Sequence, residues 1–433
     1  MFARVLTIVL SMFFVAGCEK TDDANIDKWM NTDKGPGKLR KAIADEDLDP
    51  DLSAHAAANL IKKQEEKDLV GLLDTMSPAR RTVVLAKLAP KLWDIARIEN
   101  DNKLPGGTQI AGKDGLVTIR KWADDTLRQQ IDGYLIDWYG VSSYDGRAEG
   151  GQYSGESVAR MIGPPIAKKL IGVLNGVIAA PGQEKVKLKI TDKLMLALAA
   201  SGSPEAVKKL LDVAKMDRGD DTLSGRAITA LFIAYVKPSG LFPILGPEAL
   251  VPNLDGLVAI AKDDTLKGQT INDTIELIRA VGSPKCFTAL VGMVPHPHRQ
   301  SVFKFVTATN AMRCGGAKSI GEVVKALPEG GAYVQADLAG TVILEIAHMT
   351  PRNQVLDAVR QLLGAKSTIA KWVAIEALAA MKSVEDKPKI AALAGNKERL
   401  VGYWGESAGK PDPTLGQRAK ELADQLGADN KPK

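Results

Sequence analysis

The sequence predicts an all-α fold, an α-α superhelix of helix pairs with a period of about 33–40 residues, and three observations predict it. Aromatic residues make up 5% of a chain that is 45% hydrophobic, so alanine, leucine and valine carry most of the apolar surface. That composition suits close-packed helices better than a sheet of β-branched and aromatic side chains. Apolar residues also recur at i, i+3, i+4 and i+7, the stripe of a helix that buries one face. The stripes begin at residues 170, 207, 254, 287, 320, 355 and 390, the last with Lys397 in its fourth place, at intervals of 37, 47, 33, 33, 35 and 35. Single matches of this kind arise by chance; near-constant spacing does not. Thirdly, a second apolar segment lies between successive stripes, at 222–236, 270–281, 300–312, 334–347 and 368–381. Each period is then two helices and two short turns.

The elements follow in order from the N-terminus. Arg4 precedes an apolar run from Val5 to Phe14, and Val15-Ala16-Gly17-Cys18 places two small residues before a thiol. The run is too short to span a bilayer, which needs about 20 residues, and Glu19, Lys20, Asp22 and Asp23 stop it sharply. It therefore reads as a signal segment over 1–17. The tetrapeptide resembles the lipobox of bacterial lipoproteins, with Val15 where that family most often has leucine. The resemblance implies cleavage before Cys18, acylation of its sulfur, and an anchor in the cell envelope. Glu19 in place of aspartate after the cysteine implies the outer membrane by the same resemblance. Residues 18–37 then read as the lipidated cysteine with a polar tether.

Residues 38–160 form an N-terminal helical region. Leu69, Leu72, Leu73 and Met76 repeat the stripe, Ser77-Pro78 opens a helix toward Trp93, and Leu127, Ile131, Tyr134, Leu135 and Trp138 mark another. Asp-Asp-Thr-Leu occurs at 124–127, 220–223 and 263–266, each time ahead of an apolar-periodic segment, as a helix start would. Two stretches rich in glycine, 100–115 and 140–155, read as loops.

Residues 161–408 hold the repeated pairs. Ser203-Pro204, Ser283-Pro284 and Thr350-Pro351 stand before three of the stripes, where a capping hydroxyl and a first-turn proline are expected. In period and helix pairing this region resembles the HEAT and armadillo-like repeat proteins, although the regular Asp and Arg positions of the HEAT consensus are missing. The long interval of 47 holds an insertion, Lys237 to Pro247, in which Leu241 and Phe242 are read either as a packed loop or as a ligand-facing projection. Residues 409–433 give a closing helix, marked by Leu415, Ala419, Leu422, Ala423 and Leu426, and a polar tail.

Candidate chemistry is sparse. Asp45, Asp47, Asp49 and Asp51 alternate like the start of a calcium loop, but Pro50 and Ala56 stand where an EF-hand needs glycine and glutamate, so a solvated acidic turn is the main reading. His296-Pro297-His298 offers two imidazoles without further ligands in sequence. Neither G-x-S-x-G nor a Walker loop occurs, and no catalytic residue is assigned. Tyr144 and Tyr153 in the 140–155 stretch fit a recognition loop. Cys286 and Cys314 lie 28 residues apart, and either a disulfide or two buried thiols suits that spacing. The formal charge of +5 comes from 57 basic and 52 acidic residues mixed along the chain, without the basic stripe of a nucleic-acid binder.

The expectation is thus a membrane-anchored, non-enzymatic scaffold with no cofactor beyond the lipid, binding another envelope protein through its helical surface. Two alternatives remain: an enzyme or metal-dependent factor with ionisable groups converging in a closed pocket near 140–155, or a structural spacer without an exposed apolar patch.

Overall fold

The computed structural model describes residues 20–100, 103–179, 190–216, 223–237, 240, 242–405 and 409–428. The signal segment, Cys18, Leu241 and the copy of Asp-Asp-Thr at 220–222 lie outside the described residues. The chain is all-α and 70% helical, and the described residues hold no strand, only an isolated bridge between Arg399 and Thr414. It forms two compact units that divide between Ala197 and Leu198.

The first unit runs α1 (Asp23–Met30), α2 (Gly35–Ala44), α3 (Pro50–Lys62), α4 (Glu66–Thr75), α5 (Pro78–Ala96) and α6 (Gly107–Ile119). It continues with α7 (Asp125–Tyr139), α8 (Tyr144–Ala148), α9 (Gly155–Ile162), α10 (Ala167–Ala179) and α11 (Asp192–Ala200). Where the sequence suggests a tether, α1 is folded: Asp22 caps it through the amide of Asn25 at 3.0 Å, and Ile26 and Trp29 are buried as it packs on α2 and α3. Two buried apolar residues in an eight-residue helix are too few to stand out as a stripe.

The stretch 100–115 is corrected in the same way, since α6 starts inside it. Its glycines serve helix packing: a Cβ at Gly112 would come within 2.8 Å of the Ala96 amide nitrogen, and one at Gly115 within 3.2 Å of Leu92 Cδ1. Lacking side chains there, α6 lies close against α5. Asp124 does cap α7, accepting from the Leu127 amide at 2.9 Å. The same tetrapeptide at 263–266 makes a turn instead, with Asp263 accepting from the Thr265 amide, and the next helix waits until Gly268.

The second unit contains α12 (Pro204–Ala214), α13 (Leu223–Tyr235), α14 (Leu254–Ala261), α15 (Gly268–Ala280), α16 (Lys285–Val291), α17 (Phe303–Gly315) and α18 (Ile320–Lys325). After α19 (Gln335–Leu338), a π-helical turn over Ala339–Ile343 leads into α20 (Leu344–His348). The last helices are α21 (Arg352–Leu362), α22 (Thr368–Ala380), α23 (Lys387–Ala391) and α24 (Leu415–Ala428). Five pairs pack internally among the described residues, α12 with α13, α14 with α15, α16 with α17, α21 with α22 and α23 with α24. The second members also pack on one another, α13 on α15, α15 on α17, α20 on α22 and α22 on α24.

The predicted stripes contribute to the core unevenly: two are buried throughout, while Leu254, Val258, Phe287 and Val291 of two others are only partly buried. Val207, Leu210, Leu211 and Ala214 are all buried, as are Ile320, Val323, Val324 and Leu327. Ser203 caps α12 by accepting from the amides of Glu205 and Ala206, with Pro204 in the first turn. At the other two Ser/Thr-Pro sites the proline itself stands at the cap and no side-chain cap bond forms. Cys286 and Cys314 form a disulfide with Cα atoms 6.1 Å apart, tying α16 to α17.

Charges link the second members of successive pairs. Glu276 on α15 contacts Arg279 at 2.6 Å and Arg313 of α17 at 3.6 Å, and Arg313 reaches on to Glu345 of α20 at 2.7 Å. Near the C-terminus, Asp386 is wholly buried and accepts from Arg360 at 3.0 and 2.9 Å, from Ser383 at 2.7 Å and from Lys389 at 2.8 Å. Burial raises its carboxyl, but Arg360, Lys389 and Ser383 outweigh that and hold it at about 2, against 3.8 for an ordinary aspartate. A carboxyl with its folded value below its unfolded one adds stability above the unfolded value and loses it as pH falls through the folded one. The stability gap between wild type and Asp386→Asn should therefore be ~2 kcal/mol at pH 6 and close to zero at pH 1.5, read by urea denaturation.

Candidate binding groove

The segment 140–155 brings together many of the ionisable groups of the first unit, but it does so by being held down. Lys113 on α6 is wholly buried, and its ammonium donates to the carbonyls of Gly150 at 2.7 Å and Tyr153 at 2.8 Å while contacting Asp114 at 2.5 Å. Two of its protons go to those carbonyls, and Asp114 supplies the countercharge as a close ion pair. Asp114 in turn accepts from the Gln152 amide at 2.8 Å, and a Cβ on Gly151, which has φ +86, would fall 2.0 Å from Asp114 Oδ2. Burial pushes the Lys113 ammonium below its usual range, and Asp114 opposes that shift.

Tyr144, expected in a recognition loop, lies buried in a short helix. It opens α8, is 2% exposed, and its hydroxyl donates to the Lys193 carbonyl at 3.3 Å. Gly155 is small because a Cβ there would lie 2.4 Å from that hydroxyl. Burial pushes the Tyr144 and Tyr139 phenols well above the usual range. Tyr153 is half-buried, and its carbonyl accepts from both Lys113 and Tyr139. The stretch read as a mobile loop is therefore clamped, because a short helix and buried donors replace the freedom its glycines suggested.

The open space lies beside this clamp. Gly140 ends α7, and Gly163, with φ +79, turns the chain between α9 and the Pro164–Ala179 helical segment, which are bent by 116°. An open groove of about 780 Å³ lies between the end of α7, residues 140–142, Pro165 and α10. Its walls include Ile136, Val141, Val173 and Val177. Of the α10 stripe, Leu170 and Leu174 face the core while Val173 and Val177 line the groove. Gly172 and Gly176 lie on the same side, and a Cβ on either would meet nothing within 4 Å. Lys168 and Lys169 stand at the start of the helix; Lys169 is 3.4 Å from Asp137, whereas Lys168 is exposed and unpaired.

The remaining candidates carry less. Phe242 is half-buried, the insertion is tied back by the Leu245 amide donating to the Ala234 carbonyl at 3.0 Å, and Ile244 is 54% exposed. Asp45 accepts from the Asp47 amide and Asp49 from that of Asp51, so Asp49 caps α3 and the acidic run is a turn. No three His, Cys, Asp or Glu side chains converge to hold a metal among the described residues, Asp45, Asp47 and Asp49 included. His298 stacks on Phe303 at 4.2 Å and accepts from the Gln300 amide, and burial lowers its affinity for a proton.

Sequence reasoning passed over the groove although its signal was present: two glycines one turn apart on the side of a stripe, after a pair of lysines. It passed over Lys113-Asp114 because adjacent charges in a glycine-rich stretch look solvated. No family model matches the chain, and no curated protein matches it either.

Proposed function

We propose that this chain is a lipid-anchored envelope protein whose HEAT-like helical body serves as a non-enzymatic binding surface. The observation that carries the reading is the succession of helices from α12 to α24, in which the second helices of successive pairs pack on one another. Stacked pairs of this kind expose long surfaces suited to partners rather than a closed reaction chamber. The first unit adds an open apolar groove, and its buried Lys113 and Asp114 are engaged by the chain itself, which favours binding over catalysis there. The attachment is assigned to Cys18 on the lipobox-like Val15-Ala16-Gly17-Cys18; no single described helix is long and apolar enough to cross a membrane, although the bent pair Gly155–Ile162 and Pro164–Ala179 together has the length and composition. A diacylglyceryl group with an amide-linked chain holds more firmly than one acyl group.

Fractionation of wild type and Cys18→Ala tests the anchor. Wild type is expected in the outer-membrane fraction after a high-salt wash and Cys18→Ala in the soluble fraction. A Cys18→Ala protein that stays fully membrane-bound rules the anchor out. Pull-downs from envelope membranes with both forms then test whether an envelope partner is engaged.

A further inference from the structure

The groove in the first unit has a chemistry of its own. Its volume of about 780 Å³ lies within the ~300–1,000 Å³ usual for small-molecule sites. The walls are aliphatic, with no aromatic ring on which a planar ligand would stack. Gly172 and Gly176 leave a bare strip along α10, about 6 Å from one to the other by helical rise. Besides the two lysines, Ser142 is the one polar side chain in the lining. A peptide would leave most of its backbone donors and acceptors unpaired against such walls. At one end the charge is positive: Lys168 is exposed and unpaired, in the second turn of the Pro164–Ala179 helical segment.

We infer that this groove binds a single long-chain fatty acid, with the carboxylate at Lys168 and the hydrocarbon lying over Gly172 and Gly176. The ligand needs one anionic end and an otherwise apolar body, and it needs to be thin enough to use the strip that the glycines leave open. The inference does not depend on the Cys18 anchor, since the groove belongs to the folded body.

The test uses the chain from residue 18 onward with Cys18→Ala, purified without detergent and titrated calorimetrically with palmitate below its micellar concentration. Saturable one-to-one binding is expected, weakening about fourfold for each methylene removed in the series from palmitate to laurate. Methyl palmitate and the Lys168→Glu variant should each bind at least tenfold more weakly than the parent pair. The double variant Gly172→Leu/Gly176→Leu should abolish binding with a Tm no lower than the parent, because both positions open onto free space in a helix. Gly71→Leu, likewise on open helical surface but on α4, which contributes no residue to the groove, should bind palmitate normally. The inference fails if palmitate shows no saturable binding or if the leucine pair leaves its affinity unchanged. It fails equally if the leucine pair alters only the sedimentation coefficient, which would make the groove a protein contact, or if only phosphatidylglycerol vesicles bind.

Discussion

The Lys113→Met variant is expected to lose about 3–5 kcal/mol of stability, the usual cost of removing one partner from a buried ion pair. The loss is large because three contacts go together: methionine fills the stem but leaves the Asp114 carboxylate without its countercharge and the carbonyls of Gly150 and Tyr153 without a donor. The effect should concentrate locally. Amides of 149–154 should exchange faster with solvent, and limited proteolysis should cut there first. Replacing both partners, as Lys113→Met/Asp114→Leu, should recover part of the loss, because the uncompensated charge is then gone. Urea denaturation of the four proteins in this cycle provides the check; a single variant within 1 kcal/mol of wild type would show that the clamp contributes little.

Arg418→Met is expected to cost about 3 kcal/mol at the C-terminal end. The guanidinium grips Glu376 of α22 through two hydrogen bonds, at 2.7 and 3.1 Å, and reaches Glu421 at 3.0 Å. Burial opposes its charge, but the Glu376 carboxylate more than offsets this and pushes the guanidinium above its usual range. Glu376 is buried in α22 and also accepts from the Trp372 indole at 3.2 Å. With Arg418 gone, that carboxylate keeps one neutral donor, and α24 keeps only Leu415, Ala419, Leu422 and its other apolar contacts. Denaturation followed by hydrogen exchange should show α24 opening below the global unfolding free energy. An Arg418→Lys variant should recover a fraction of the stability, since an ammonium supplies the charge without the two-pronged geometry.

The second unit was more legible in the sequence than the first, and the difference is physical. The segments expected at 222–236, 270–281, 300–312 and 368–381 correspond to Leu223–Tyr235, Gly268–Ala280, Phe303–Gly315 and Thr368–Ala380. Long helices with one buried face write their period directly into the chain. In the first unit, α1 and α8 are too short to do so, and α6 carries glycines where it meets α5, so a close packing surface reads as a loop. The site was less legible still. Tyr144 looks like a contact residue until α11 is brought over it, and Val173 and Val177 look like core until the 116° bend leaves their side of α10 uncovered. Both depend on contacts between segments far apart in sequence, which periodicity does not record.

The row of charges from Arg279 through Glu276 and Arg313 to Glu345 has a consequence beyond its modest energy. Its members are partly exposed, so each pair contributes little to stability. The signs alternate, however, and each contact joins a particular turn of one helix to a particular turn of the next. Sliding α17 past α15 by one turn, ~5.4 Å, would carry Arg313 away from Glu276 while it remained tied to Glu345. The apolar faces of α15 and α17 would tolerate such a slip better than the charges do. The row therefore works as a vernier between neighbouring helices, fixing how far each stands along its neighbour rather than how tightly it is held.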